Sequence, residues 1–240
     1  MFTNEYLKNL VIFDIETVPL YNSSNEFYTA NPLLAKLWTK KAIQRGSLDD
    51  KDYTEEEEDE ALINNAGLHP EFSKIVSISF AFIKFEDDKP VIQTINLYND
   101  GDEKEFLIKV SEMFAKIHGS RIITKPVLCG HNILKFDIPF LCKRFLINGI
   151  AIPNLLDFIG KKPWEINILD TIKFWEFTGH EQISLDLLCC VFGIDSPKTQ
   201  MTGTSVQELY SKNLKKEIIE YNNSDVHVLA QLIIKLSQIQ

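Results

Sequence analysis

Four carboxylates in three separated segments are the residues best placed to do chemistry in this 240-residue chain. Val11-Ile12-Phe13-Asp14-Ile15-Glu16-Thr17 sets two acids in an apolar, β-branched stretch. Asn132-Ile133-Leu134-Lys135-Phe136-Asp137-Ile138-Pro139 supplies a third, and Tyr221-Asn222-Asn223-Ser224-Asp225 a fourth with a tyrosine before it. A strand sends alternate side chains to opposite faces, so Asp14 and Glu16 share one face and Phe13 and Ile15 the other. Two carboxylates on one face of a core strand repel each other and are costly to desolvate. A cation is the simplest compensation. Tyr221 and Asp225 are i and i+4 on a helix and share a face. Hard divalent ions take oxygen ligands, and Mg²⁺ is typically held by a few carboxylates plus substrate phosphate. Two such ions clamp the attacking and leaving oxygens of a phosphodiester displacement. Each segment also has an ordinary reading: acids at a solvated strand end, an aspartate capping a helix, a polar helix pair. Their conjunction in this order points to metal-dependent phosphodiester hydrolysis.

The elements that must position these groups follow from the hydrophobic pattern. Residues 10–16 read as a strand buried on both faces. Strands are expected from Ile75 to Phe85 and from Val91 to Tyr98, joined by a hairpin turn at Asp87-Asp88-Lys89-Pro90. Helical periodicity covers Glu103 to Ile117. A short buried strand runs from Val127 to Cys129 and ends at Gly130. A helix follows from Ile138 to Leu146, with Pro139 in its first turn. A short strand over Ile166–Leu169, a helix over Ser184–Val191 with Ser184 as N-cap, and a long helix over Leu214–Leu236 complete the pattern. A hairpin meander followed by α/β alternation predicts a mixed sheet flanked by helices. Residues 21–67 look like an insertion after the first strand. They hold a helix over about Leu33–Arg45 and the acidic run Glu55-Glu56-Glu57-Glu58-Asp59, which reads as a solvated face or mobile loop.

With 45% hydrophobic residues, the chain suffices for one α/β domain over residues 1–240, and no second domain is required. No apolar run reaches membrane-spanning length, and the N-terminus lacks the pattern of a signal peptide. Cys129, Cys142, Cys189 and Cys190 form no C-x-x-C pair and read as reduced, buried thiols of a cytoplasmic protein. A net charge of −9 argues against a protein that coats duplex nucleic acid through a broad basic face. A narrow basic rim would still guide a strand end.

Asp14/Glu16, Asp137 and Tyr221/Asp225 resemble the three motifs of the DEDD superfamily of 3′–5′ exonucleases. The Tyr-x-x-x-Asp spacing is similar to that of its tyrosine subclass. The histidine subclass carries histidine five residues before the last aspartate, where this chain has Glu220, and His227 lies after Asp225. The chain further resembles the predicted PolB-like 3′–5′ exonucleases, related to the proofreading domain of family B polymerases. Leu68-His69-Pro70-Glu71-Phe72, Gly130-His131-Asn132-Ile133, Lys162-Pro163-Trp164-Glu165, Leu169-Asp170-Thr171 and Ser196-Pro197-Lys198 carry that likeness, over roughly residues 10 to 236.

The resemblance implies an RNase H-like fold with a five-stranded mixed sheet, and a free-standing exonuclease domain. It implies two divalent ions, Mg²⁺ or Mn²⁺. Asp14, Glu16 and Asp225 would hold one, with Asp14 bridging to a second that Asp137 supports partly through water. Tyr221 would orient the attacking water, since a phenol with an ordinary pKa near 10 is a poor base at neutral pH. The expected partner is a single-stranded 3′ end, DNA first, with nucleoside 5′-monophosphates as products. RNA or short oligonucleotides, or a silent nucleic-acid-binding module, are the alternatives. Candidate substrate contacts are Thr17, Asn132 with the terminal nucleotide, Val18 and Phe136 with its base, and Lys161, Lys162 and Lys198 with phosphate. His131 reads as structural, and Asp170 as a turn residue at a strand end.

Overall fold

A computed structural model describes residues 2–162, 165–180, 183–195 and 205–239. The first helix, α1 (Asn4–Lys8), leads into the ten-residue strand β1 (Leu10–Pro19). β1 pairs antiparallel with β2 (Ser73–Glu86), which turns into β3 (Lys89–Tyr98). The turn is two residues, Asp87 and Asp88, both at positive φ (48° and 61°), because Glu86 and Lys89 are already paired. That backbone matches the twist of a two-residue hairpin, and aspartate tolerates it. On the other side β1 pairs parallel with β4 (Val127–Gly130), and β4 with β5 (Ile168–Asp170). The order is β3-β2-β1-β4-β5, a five-stranded mixed sheet flanked by helices in RNase H-like arrangement, as the resemblance implies.

The alternation of β1 sorts the two faces. Val11, Phe13 and Ile15 pack with α5 (Glu103–His118) and α6 (Asp137–Ile147), through Phe106, Val110, Phe114, Leu141 and Phe145. Leu10 and Ile12 pack on the opposite face against α10 (Lys215–Ser237), through Val226, Leu229, Ile233 and their neighbours. Asp14 and Glu16 continue the Leu10/Ile12 face. The acids therefore lie where the apolar packing of α10 gives way to polar residues.

Residues between β1 and β2 form α2 (Ser24–Ala30), α3 (Pro32–Gln44), α4 (Glu55–Asn65) and a 3₁₀ turn, Ala66–Leu68. They bury a cluster of their own that includes Phe27, Trp38, Leu62 and Phe72. The acidic run is a solvated face, as expected, at Glu55, Glu56 and Glu57, but it is helical rather than a mobile loop. Glu55–Glu58 form the first turn of α4, where carboxylates face the positive helix end, and Thr54 and Glu57 close a reciprocal capping box. Glu58 is buried, accepting from the Thr39 hydroxyl of α3 at 2.5 Å.

Three further short helices are α7 (Thr171–Glu176), α8 (Leu185–Val191, capped by Ser184) and α9 (Val206–Ser211). Among the described residues no helix is long and apolar enough to cross a membrane.

Candidate active site

β4 stops pairing with β1 at Ile12, because the chain leaves the sheet at Gly130 and turns through Asn132 at φ 66°. Beyond that point the β4-side edge of β1 needs another acceptor. Asp137, the first residue of α6, supplies it: its Oδ1 accepts the Ile15 N–H at 3.1 Å. The third acid is thus fastened to the backbone between the first two, 122 positions away in sequence. A Cβ on Gly130 would come within 2.7 Å of the Ile133 side chain, so this tight exit requires glycine. Asp170 shapes the same loop by accepting the backbone N–H groups of Asn132, Leu134 and Ile172. It caps a helix and braces a loop, a larger part than a turn residue.

The face toward α10 gathers the rest. One carboxylate oxygen each from Asp14, Glu16 and Asp225 lie within 4.8 Å of one another. Asp225 is 7% exposed and the two strand acids are half-buried. Three converging oxygen donors of unit charge at this spacing suit a hard divalent cation. Tyr221 is half-buried one helical turn before Asp225, on the same face. A bulge in the β1–β2 pairing falls between Glu16 and Thr17, so the strand is re-aimed immediately after the second acid.

A polar network lies beneath the acids, and sequence reasoning missed it. Asn222, fully buried, donates from Nδ2 to Asp14 Oδ2 at 2.8 Å and to the Asp14 carbonyl at 3.3 Å. Its Oδ1 accepts from the Ser77 hydroxyl at 2.8 Å. Asn96 donates to Ser77 and Ser79, each at 2.8 Å, and Ser79 donates to Asn223. Ser77 and Ser79 are the cross-strand partners of Glu16 and Asp14. The available signal was Asn222-Asn223 interrupting the apolar stripe of a long helix.

Burial drives the Asp137 carboxyl up to about 7, against the opposing pull of the Ile15 and Asp137 backbone N–H groups, and nearby Asp170 raises it further.

The remaining candidates separate. Val18 is fully buried among Val76, Leu209 and Ile218, so packing replaces the expected base contact. The Thr17 hydroxyl donates to the Gly67 carbonyl at 2.7 Å, tying β1 to the 3₁₀ turn. Phe136 is half-buried against Phe140 and the α5/α6 core. Asn132 is half-buried on the loop before α6. Lys162 is exposed, and Lys161 sits over the Phe158 ring at 5.5 Å. Lys198 lies outside the described residues. His131 is structural: its ring nitrogens meet the Thr171 hydroxyl and the Ile183 carbonyl, both at 2.9 Å.

Fold and site together define an α/β protein of RNase H-like topology with a carboxylate cluster over its central strand. Residues 65–233 match the family of predicted 3′–5′ exonucleases related to the exonuclease domain of PolB. That span is more than two thirds of the chain, and the chain belongs to this family. The span includes Asp137, Tyr221 and Asp225, while Asp14 and Glu16 precede it. No curated protein matches the sequence. Solved structures similar to the chain include E. coli exonuclease I with a 5cy-dA13 oligonucleotide, at 12% identity and a TM-score of 0.42, covering 95% of this chain and 40% of that one. The zinc-bound E. coli exonuclease I–single-stranded DNA complex matches at 12% and 0.38, covering 96% and 40%. The chain spans about two fifths of the length of these enzymes.

Proposed function

We propose that this protein is a metal-dependent 3′–5′ exonuclease that trims single-stranded DNA ends to nucleoside 5′-monophosphates, with the tyrosine form of the DEDD site. The observation that carries it is the convergence of Asp14, Glu16 and Asp225 oxygens within 4.8 Å, with Tyr221 one helical turn away. In this reading residues 1–240 act as one exonuclease domain, and the helices between β1 and β2 are an insertion in it.

Asp14, Glu16 and Asp225 would hold one divalent ion, Mg²⁺ or Mn²⁺, and Asp14 with Asp137 a second. When bound, such ions activate a water and neutralise charge on the leaving 3′-oxygen. The chain's own residues do the rest. Asn222 fixes the Asp14 carboxylate, and the Ile15 N–H fixes that of Asp137. The Tyr221 hydroxyl orients the attacking water by hydrogen bonding. Asn132 and Phe136 face the terminal nucleotide, and Lys162 and Lys198 the phosphates. The clustered carboxylates of Asp14, Glu16 and Asp225 would also disfavour the scissile phosphate until cations are bound, which couples its entry into the site to metal loading.

The test is digestion of end-labelled single-stranded DNA and RNA with Mg²⁺ or Mn²⁺. Release of 5′-monophosphates from the DNA 3′ end is expected. Tyr221→Phe should lower turnover by about 10²-fold and leave strand affinity nearly unaltered. Asp14→Ala should abolish turnover. Full activity in Tyr221→Phe removes the hydroxyl from the mechanism, and a wild-type protein inert on every strand end defeats the reading.

A further inference from the structure

We propose that the helical segment between β1 and β2 carries a phosphate site for the substrate strand, formed by Lys41, Arg45 and His69, which grips the strand away from the nucleotide being removed. The proposal rests on the nuclease reading and gives that segment a task.

A cavity of about 240 Å³ opens between α3 and the 3₁₀ turn, lined by Trp38, Lys41, Arg45 and His69 among others. Lys41, in the last turn of α3, and Arg45, its C-cap in helical conformation, are i and i+4 and share a face. Like charges so placed destabilise a helix unless an anion joins them. The Arg45 guanidinium is exposed and forms no ion pair with a described carboxylate. Among the described residues Lys41 forms one ion pair, with Glu71 at 3.6 Å, whose side chain is 45% exposed. His69 is held below the ordinary imidazole range by burial and then by Lys41 and Arg45, with Lys143 adding to them and Glu71 opposing. Cation thus outweighs anion here, in a chain of net charge −9.

A second observation asks for an acceptor. Trp38 is 2% exposed, and its indole N–H has no hydrogen-bond partner among the described residues. A buried donor left unsatisfied costs roughly 1–3 kcal/mol. The ring nitrogens of His69 likewise hydrogen-bond no described residue, and the two rings lie 6.1 Å apart. A phosphodiester offers two non-bridging oxygens with lone pairs for guanidinium, ammonium, imidazole and indole donors. The volume takes a phosphate with part of its sugar.

Position supports a strand contact. His69 stands two residues after Gly67, whose carbonyl holds Thr17, the residue following Glu16. The cavity is thereby tied to the end of the strand that bears the acids.

The experiment has two arms. First, a fluorescein-labelled dT12 strand is titrated into full-length protein in EDTA by anisotropy, at several salt concentrations. The double variant Lys41→Ala/Arg45→Ala should bind about tenfold more weakly. Its log–log salt slope should flatten by about 0.7 for each phosphate no longer neutralised. Second, kcat/KM with Mn²⁺ is compared on dT12 and on the p-nitrophenyl ester of thymidine 5′-monophosphate, which has no second phosphate. The loss should be about tenfold larger on the strand. Equal affinity and slope in variant and wild type overturn the site and leave the nuclease reading intact. Equal losses on both substrates overturn it as well. A wild-type protein that cleaves nothing yet binds dT12 in an Arg45-dependent way sustains the site and sinks the nuclease reading. His69 imidazole resonances should shift with dT12. If inorganic phosphate alone gives the whole shift and dT12 adds none, the strand assignment fails.

Discussion

Asp137→Asn isolates the electrostatic strain of the site. The amide keeps an oxygen to accept the Ile15 N–H but cannot ionise. In the folded protein burial raises the Asp137 carboxyl from 3.8 to about 7. A raised folded value means the fold favours the protonated acid, so stability is intact below pH 4 and falls as pH climbs from about 4 to 7. Each pKa unit is worth 1.36 kcal/mol, so the loss reaches about 4 kcal/mol above neutrality. The variant escapes it. Urea unfolding in EDTA should show wild type and Asp137→Asn equally stable near pH 3.5. At pH 8 the variant should be about 4 kcal/mol more stable. It should also be inactive, having lost an acid the proposed mechanism needs. A stability difference that does not vary with pH, or a variant weaker than wild type at pH 8, refutes the assignment of strain to this carboxyl.

Other perturbations have equally definite outcomes. Mg²⁺ or Mn²⁺ at 100 times its Kd should stabilise the fold by about 2.7 kcal/mol, read as a rise in Tm that Asp225→Asn removes; a Tm indifferent to both ions counts against the cation site. Arg144→Met should cost about 3–5 kcal/mol by urea midpoint, because Arg144 donates to Glu103 at 2.9 Å and to the Pro70 carbonyl at 2.7 Å. Gly130→Ala should cost about 1–3 kcal/mol by overpacking against Ile133, with activity falling further than stability because the loop leading to Asp137 is displaced.

The strands that build the sheet were legible because their apolar runs are long and bounded by turn residues. β2 and β3 run past several of their expected ends, since pairing extends beyond the last apolar residue. The acids were legible through spacing alone: Asp14 and Glu16 share a face as period two requires, and Asp225 meets them over the sheet. What escaped depends on contacts distant in sequence. α2, α7 and α9 are six or seven residues long, too short for periodicity to register and stable only in packed surroundings. The burial of Glu58 within the otherwise exposed start of the run Glu55–Asp59 escaped because no local pattern shows Thr39 waiting for it. Val18 looked available for a base because it follows the acids, yet the bulge after Glu16 and the arrival of α9 bury it. The phosphate cavity was out of reach for the same reason, since α3 and His69 meet only in the fold.

The network under the acids explains how such a site survives folding without a cation. The face of β1 that carries Asp14 and Glu16 would ordinarily be core, as Leu10 and Ile12 are. Large apolar neighbours there would desolvate both carboxylates with nothing in return. The chain instead places small hydroxyls, Ser77 and Ser79, directly across the ladder, and an amide, Asn222, above them. Asn222 must use both ends at once, donating to Asp14 and accepting from Ser77. The amide is therefore held in one orientation, and with it the Asp14 carboxylate. Compensation by neutral donors settles geometry but leaves the charges in place. Neutral donors in this layer do not cancel the attraction of an ionised Asp14 for divalent cations, as a lysine in place of Asn222 would. Exchanging Asn222 for a cationic side chain would stabilise the metal-free site and weaken its hold on metal, which is why neutral amides and hydroxyls, rather than lysines, belong in this layer.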